Sequence, residues 1–204
     1  MKIRIILFAL LISILLLSLP SCSQSEPPRL DDVKDRFVYL IEESKELNIL
    51  FFGAGLPVYE REHELSERRQ IYFNDDVYGY DIISEQSEYK SADQIKADAK
   101  KIFSSEYLSA IYESAFDGLV VGDSGAYIRF YDNGSNLYQN TYATDFKINE
   151  RIYDYSTMKI IDPSNATYVN VSIDSYLIDD DVNTTVYLSF SYENGNWYLD
   201  SPTY

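Results

Sequence analysis

The spacing of apolar residues changes at Gly118, and this change constrains the fold more than any other feature of the sequence. Before Gly118, apolar residues recur every three or four positions, which is the pattern of amphipathic helices. After it, apolar and polar residues alternate, which is typical of strands with one buried face. We therefore predict an α+β fold, with N-terminal helices over 30–118 packed on a C-terminal antiparallel β-meander over 119–204.

Three helices are predicted in the first half, each with its own start or stop signal. The first begins at Asp31, whose carboxylate suits the positive end of the helix dipole, and it ends near Leu50. Ser91 caps the second helix, and Gln94 follows three residues later in the spacing of a capping box. The third helix follows directly and ends at Gly118, because glycine is favoured as a C-terminal cap.

Short strands separated by turn signals are predicted elsewhere. Residues 71–83 are rich in aromatic and β-branched side chains and are expected to form one or two strands. Asn194 and Gly195 predict a tight hairpin near the end of the sequence. The other predicted strands are 127–131 and 137–142, joined by a turn at 132–134, then 157–161, 167–177 and 184–192.

The first 22 residues form a pattern typical of a bacterial secretory leader. Two basic residues precede an apolar run over 5–19, and the single cysteine, Cys22, comes shortly after it. The end of this pattern resembles a lipobox, the site at which a cysteine is acylated and becomes the new N-terminus. We therefore predict a lipoprotein signal peptide at 1–21 and lipid attachment at Cys22. The resulting location is the extracytoplasmic face of the cell membrane.

Two other interpretations of the leader stay open. The apolar run is long enough for an uncleaved membrane anchor. It also fits an ordinary secretion signal in which Cys22 has no role, and Pro20 stands where a lipobox more often has a small residue. When the chain is held at the membrane, residues 22–29 form a polar, helix-averse tether. Residues 30–204 then form a single α+β domain.

The chain after the leader is strongly acidic. The leader holds two of the 17 basic residues and none of the 33 acidic ones, so residues 22–204 carry a formal net charge of −18. This charge repels nucleic acid and anionic lipid headgroups, so we expect no nucleic-acid partner. It favours cationic partners, or it simply keeps the protein soluble. Once Cys22 is acylated, no thiol is left for disulfides, thiolate catalysis or metal binding.

The patterns that carry catalysis or bind metals are incomplete in this sequence. The only histidine, His63, lies in a His-Glu-x-x-Glu run that lacks the second imidazole of a zinc-binding helix. Residues 179–183 begin like a calcium loop, but Thr184 replaces the expected glycine and Phe190 the closing glutamate. We interpret the first as a solvated charge cluster and the second as a hairpin loop. We predict no catalytic residue, no metal and no cofactor.

The segment 51–59 combines strongly apolar residues with two glycines and a proline, which oppose a regular element. Two interpretations are open. The segment packs into the core, or it forms an exposed apolar loop that marks a partner-binding site. On the second interpretation the contact residues are Phe51, Phe52, Leu56 and Tyr59.

Several short stretches resemble the IseA/YoeB-type inhibitors of cell-wall DL-endopeptidases. They are residues 91–95 and 103–108 in the helices, Leu137-Tyr138, and the final residues 193–204 with Asn194-Gly195-Asn196-Trp197. The resemblance covers about residues 70–204, and a helix pair with a sheet ending in Asn-Gly-x-Trp is also similar to cystatin-like and nuclear-transport-factor-like envelope domains. The family implies a non-enzymatic protein that blocks peptidoglycan-cleaving cysteine peptidases. Its usual members are freely secreted, whereas this chain has a lipobox-like leader.

Three classes of function follow. The first is a lipid-anchored, monomeric protein that inhibits or restrains a peptidoglycan hydrolase or another envelope protein. The second is an envelope lipoprotein whose cystatin-like or nuclear-transport-factor-like module binds a small molecule or peptide. The third is an enzyme that uses two carboxylates. A deep, tyrosine-lined pocket would favour the second class, and a filled core beside a protruding apolar loop would favour the first.

Overall fold

A computed structural model describes residues 25–59, 69–73, 76–120, 126–140, 148–178 and 180–204. Within these ranges the helices are α1 (Leu30–Phe52), α2 (Ala92–Ile102) and α3 (Ser105–Tyr112), which a π-helical turn at Glu113–Asp117 continues. The strands are β1 (Arg69–Phe73), β2 (Asp76–Ile82), β3 (Leu119–Val120), β4 (Ala126–Tyr127), β5 (Phe130–Asp132), β6 (Leu137–Asn140), β7 (Arg151–Ile161), β8 (Tyr168–Leu177), β9 (Asp180–Glu193) and β10 (Asn196–Leu199). The predicted leader with Cys22, His63 and Asp179 lie outside the described residues. No helix in the described ranges is long and apolar enough to cross a membrane.

The predicted α+β class is confirmed, and its strands form two four-stranded antiparallel sheets. The C-terminal meander has the order β10-β9-β8-β7, and a smaller sheet has the order β1-β2-β6-β5. Strands β3 and β4 pair separately. The half predicted as helical therefore also supplies the β1–β2 hairpin, which joins the later part of the chain where β2 pairs with β6.

Helix α1 packs on the inner face of the meander. Val169, Val171 and Ile173 of β8 are fully buried on one face, as their alternation predicts. From the helix, the ring of Phe37 stacks on Phe190 of β9 with centroids 3.8 Å apart. Each large apolar side chain buried in this layer contributes about 1.5–3 kcal/mol. The contact of α1 with the meander is therefore the main apolar core.

The predicted caps of the two shorter helices are confirmed. The Ser91 hydroxyl oxygen accepts a hydrogen bond from the Gln94 backbone N–H at 3.3 Å. The Gln94 side chain accepts in turn from the Lys90 N–H at 2.7 Å, one residue earlier than a capping box requires. After α3 and its π-helical turn, Gly118 has φ 92° and donates its N–H to the Glu113 carbonyl at 2.8 Å.

The strand predictions hold at the turns, but several strand bounds differ. Residues 180–183, interpreted as part of a hairpin loop, lie in β9, and the predicted strand 127–131 is divided between β4 and β5. Asn194 and Gly195 have φ 50° and 87°, and they form the predicted hairpin between β9 and β10. Strand β7 begins at Arg151, well before the predicted start at residue 157. The pairing of β7 with β8 shifts register between Asp154 and Lys159. This irregularity interrupts the alternation on which the prediction depended.

Helix α1 is also longer than predicted. It continues through Phe51 and Phe52, whereas the sequence predicted an end near Leu50 and no regular element afterwards. The helix ends at Gly53, whose N–H donates to the Ile49 carbonyl at 2.9 Å. The glycines therefore break the helix only after both phenylalanines have been placed on it.

Candidate partner-binding site

The four predicted contact residues divide between core and surface. Phe51 is only 4% exposed and packs edge-on against Phe116, so it follows the core interpretation and offers no surface to a partner. Phe52 and Leu56 are half-buried against the same core. Tyr59 is 37% exposed. Of the predicted set, Tyr59 is therefore the residue best placed to touch a partner.

Gln139 holds the chain where it leaves α1. Its side-chain carbonyl accepts from the Leu56 N–H at 2.7 Å, and its amide donates to the Ala54 carbonyl at 3.2 Å. Between them Gly55 has φ 79°, a conformation that glycine adopts at little cost. A Cβ atom at Gly55 would lie 2.2 Å from the Gln139 side-chain oxygen. The positive φ therefore favours glycine here, and a Cβ atom would also displace the Gln139 amide from its two hydrogen bonds.

Arg129 fixes the end of α1 from the other side. Its side chain is buried, and its Nε donates to the Leu50 carbonyl at 2.8 Å while its Nη2 donates to the Gly53 carbonyl at 2.5 Å. The last carbonyls of a helix lack partners within the helix and carry partial negative charge. The guanidinium satisfies these carbonyls, and their charge compensates its burial.

Residues 57–59 then run along the small sheet. Val58 forms an antiparallel bridge with Ile83. The Tyr59 N–H donates to the Ile82 carbonyl at 3.2 Å, and the Pro57 carbonyl accepts from the Ser84 N–H at 2.8 Å. The main chain therefore fixes Tyr59 in position. A residue fixed in this way loses less conformational freedom when a partner binds.

An open cavity of about 460 Å³ lies beside Tyr59. The cavity and Tyr59 together are called the Tyr59 site. The Lys90 ammonium is held at its wall, because it donates to the Ser84 carbonyl at 3.1 Å and also to the Glu85 carbonyl. The residues that line the cavity are Tyr59, Ile82, Ile83, Glu85, Lys90, Ser135, Asn136 and Leu137.

The chemistry of the Tyr59 site suits recognition. Apolar side chains from β2 and β6 meet an aromatic ring, one ammonium, one carboxylate and polar side chains of the β5–β6 turn. This mixture can bury a side chain of a partner while polar groups at the edge pair with its backbone. In the part of the chain that the structure describes, no group of three or more His, Cys, Asp or Glu residues is placed to hold a metal ion.

Burial raises the pKa of Tyr89, next to Lys90, and other pKa shifts lie in α1, α3 and β7. Burial raises the pKa of Tyr112 to about 12, and its hydroxyl donates to the Lys96 carbonyl at 2.9 Å. Burial also raises the pKa of Tyr155, as does its hydrogen bond to Glu42. Burial tends to raise the pKa of the Glu42 carboxyl, but hydrogen bonds from Lys45 and Tyr155 outweigh it, so the pKa is lowered. These shifts arise from burial and from hydrogen bonds between neighbouring side chains.

Comparison with known proteins adds no family to this description. No protein-family model matches the chain, and no curated protein matches it. The description of the protein therefore rests on its fold and on the geometry of its site. These are an α+β domain and an exposed tyrosine held beside an open cavity.

Sequence reasoning missed the two residues that hold the site together, Arg129 and Gln139. Arg129 lies in the predicted strand 127–131, and Gln139 lies in the predicted strand 137–142. For Arg129 the one detectable signal is a polar residue between apolar and aromatic neighbours, Ile128 and Phe130. Such a residue is buried only when it has hydrogen-bond partners. Those partners cannot be read from the local sequence.

Proposed function

We propose that this chain is a lipid-anchored binding protein on the extracytoplasmic face of the cell membrane, and that it restrains a peptidoglycan hydrolase of the DL-endopeptidase type. It acts by binding, as a monomer without enzymatic activity. The predicted leader and Cys22 support the location, and the resemblance to IseA/YoeB-type inhibitors supports the partner class. The observation that carries the proposal is the Tyr59 site, in which backbone hydrogen bonds hold an exposed tyrosine beside an open cavity.

Tyrosine is suited to this role by its size and stiffness. It buries a large area at a small entropic cost and is enriched among the residues that dominate binding energy. The pairing of residues 57–59 with β2 reduces that cost further. A loop of the hydrolase can therefore place one side chain in the cavity while Tyr59 packs against the rim of its cleft.

Charge and tethering support the same proposal. A net charge of −18 after the leader attracts a cationic hydrolase and accelerates the encounter. A lipid anchor at Cys22 confines the protein to the membrane surface. This confinement raises its effective concentration near partners that act close to the membrane.

The cavity also favours a second candidate function, the binding of a small molecule or short peptide. Its volume of about 460 Å³ lies within the range of ligand pockets, roughly 300–1,000 Å³. In that case the occupant is a free ligand rather than a loop of a protein.

Inhibition of peptidoglycan cleavage tests the first function. Residues 23–204 are mixed with a purified DL-endopeptidase of the same organism, and cleavage of its cell wall is followed. We expect slower cleavage with the wild type, and about tenfold or more weaker inhibition with Tyr59→Ala. Tyr39→Ala removes another exposed tyrosine, on α1, and is expected to inhibit like the wild type.

Two outcomes separate the candidates. Unchanged cleavage at saturating protein, with no complex in gel filtration, contradicts the inhibitor function. Saturable binding of short cell-wall peptides without any effect on cleavage supports the ligand-binding function instead, provided that Tyr59→Ala weakens it.

A further inference from the structure

A second, smaller cavity of about 160 Å³ lies between α1, the start of β7 and the last two residues of the sequence. We call it the Asn48 cavity. Its apolar walls include Ile49, Ile148, Ile152, Ile178 and Tyr204, and Asn48 contributes a polar group from the helix. None of these residues belongs to the Tyr59 site. An occupant here is therefore independent of the function proposed above.

The orientation of the Asn48 amide follows from its neighbours. The Ser44 hydroxyl donates to the Ile41 carbonyl at 2.7 Å, so its oxygen is left to accept from the Thr203 hydroxyl at 2.6 Å. The Thr203 oxygen then accepts from Asn48 Nδ2 at 2.6 Å. Every proton in this chain of hydrogen bonds is assigned. The amide nitrogen must therefore face Thr203, and Oδ1 must face away from it.

Asn48 Oδ1 has no hydrogen-bond donor among the described residues, although Asn48 is only 1% exposed. A buried carbonyl oxygen without a hydrogen-bond partner destabilises the folded protein. Such groups in folded proteins call for an explanation, often a bound molecule. Asn48 is one of the residues that line the cavity, so an occupant whose N–H or O–H group reaches Oδ1 can supply the missing donor.

The charges at the rim favour a cationic donor. Lys45 and Arg151 line the cavity. The Lys45 ammonium pairs with Glu42 at 2.7 Å, whereas Arg151 Nη1 donates to the neutral Ser175 hydroxyl at 2.9 Å and keeps its charge. The carboxylates of Glu46 and Glu150 also stand at the rim, and neither has an ion-pair partner in the described ranges. With Lys45 paired to Glu42, the lining residues leave two carboxylates against one guanidinium, so the remaining charge at this cavity is net negative.

We propose that the Asn48 cavity binds a primary ammonium group carried on a short, unbranched aliphatic chain. The ammonium donates to Asn48 Oδ1 and is attracted by the rim carboxylates, while the isoleucine walls cover the chain. A volume of about 160 Å³ matches about five water molecules at about 30 Å³ each, which leaves room for a chain of a few carbons. A free alkylamine and the side chain of a lysine in a peptide share this chemistry.

Titration of the full chain in detergent micelles tests this site, with chemical shifts of the residues around the cavity as the signal. We expect n-butylamine to produce saturable shifts. We expect n-butyltrimethylammonium, which keeps the charge but has no N–H, to bind about tenfold or more weakly. Nα-acetyl-lysine N-methylamide distinguishes the sources, because tighter binding than n-butylamine indicates a peptide side chain and weaker binding a free amine.

Asn48→Leu removes the acceptor at nearly constant volume, and it is expected to weaken n-butylamine binding about tenfold or more. Asn196→Leu, at an exposed position of the β9–β10 hairpin, is the matched control and is expected to leave binding unchanged. Ile178 is 55% exposed, so Ile178→Arg tests the site without disturbing the buried hydrogen bonds. The added positive charge should weaken n-butylamine binding severalfold, whereas Ile178→Leu should not.

Three results would overturn the proposal. One is a shift that never saturates, which indicates that water alone occupies the cavity. Another is equal binding of the two ammonium probes, which removes Asn48 Oδ1 from recognition. The third is unchanged n-butylamine binding in both Asn48→Leu and Ile178→Arg.

Discussion

The apolar core contains helix α1, and residues 53–59 lead from the end of that helix to the Tyr59 site, but different interactions hold the two regions. In the core, Phe37 stacks on Phe190 among side chains that are almost all apolar. At the site, Arg129 and Gln139 bind the backbone where α1 ends and the chain turns. Apolar contacts are tolerant of small shifts, whereas hydrogen bonds to carbonyls require particular atoms at particular distances. The segment that leads to the proposed binding site is therefore positioned by directional contacts.

The largest expected effect belongs to the core. Phe190→Ala removes a fully buried ring and leaves a cavity under α1, which should lower the free energy of unfolding by about 3–5 kcal/mol. Denaturant unfolding followed by fluorescence of the single tryptophan, Trp197, measures it, because that ring contacts Phe37 in the same layer. A loss below about 1 kcal/mol would show that the meander is not the stabilising centre.

Arg129→Met should cost about 3 kcal/mol, because it leaves two carbonyls at the end of α1 without donors. Unlike Phe190→Ala, its effect should be local. Amide hydrogen exchange should accelerate at residues 53–59 while β8 and β9 keep their protection. Arg129→Lys retains the charge but not the two-pronged geometry, and it should fall between wild type and Arg129→Met. Equal acceleration of hydrogen exchange in β8 would contradict the conclusion that different interactions stabilise the two regions.

Substitution of two glycines with positive φ separates backbone strain from contact with Gln139. Gly55→Ala meets both a disfavoured conformation and the Gln139 side chain, and should cost about 2–3 kcal/mol. At Gly195, φ is similar, but a Cβ atom would have no neighbour within 4 Å. Gly195→Ala should therefore cost only about 1 kcal/mol, from the backbone alone. Thermal unfolding of both variants measures the difference. Equal losses of unfolding free energy would mean that the Gln139 side chain moves aside at no cost.

The smallest expected effect is on pH dependence. The pKa of Tyr112 is raised from 10.0 to about 12 by burial. A raised pKa means that its contribution to stability is complete below pH 10 and is lost as the pH rises through 12. Unfolding measured across this interval should show a falling stability, and the slope should be shallower in Tyr112→Phe. An identical slope in the variant would assign the loss to other groups.

Alternation and helical spacing were sufficient to predict the core, as Val169, Val171 and Ile173 show. The Tyr59 site was predictable only as an apolar segment that is either buried or exposed. Arg129 and Gln139 bind residues 79 and 85 positions away in the sequence. Each binds backbone atoms, which are the same in every residue. A local sequence pattern does not indicate partners that are so distant in the sequence. The extension of α1 through Phe52 was missed for the same reason, since Arg129 satisfies the carbonyl ends of the helix.

The most direct test of whether Tyr59 recognises the proposed partner is equilibrium binding of a purified DL-endopeptidase to residues 23–204. Four forms are compared, the wild type and three variants. Tyr59→Ala removes the contact, and Gln139→Leu removes the side-chain hydrogen bonds to Ala54 and Leu56. Tyr187→Ala removes the most exposed tyrosine of the described meander, at 68% exposure. We predict that the first two weaken binding about tenfold or more and that the third leaves it unchanged. Loss of binding in Tyr187→Ala, with Tyr59→Ala and Gln139→Leu like the wild type, would contradict this prediction and place the partner on the outer face of the meander.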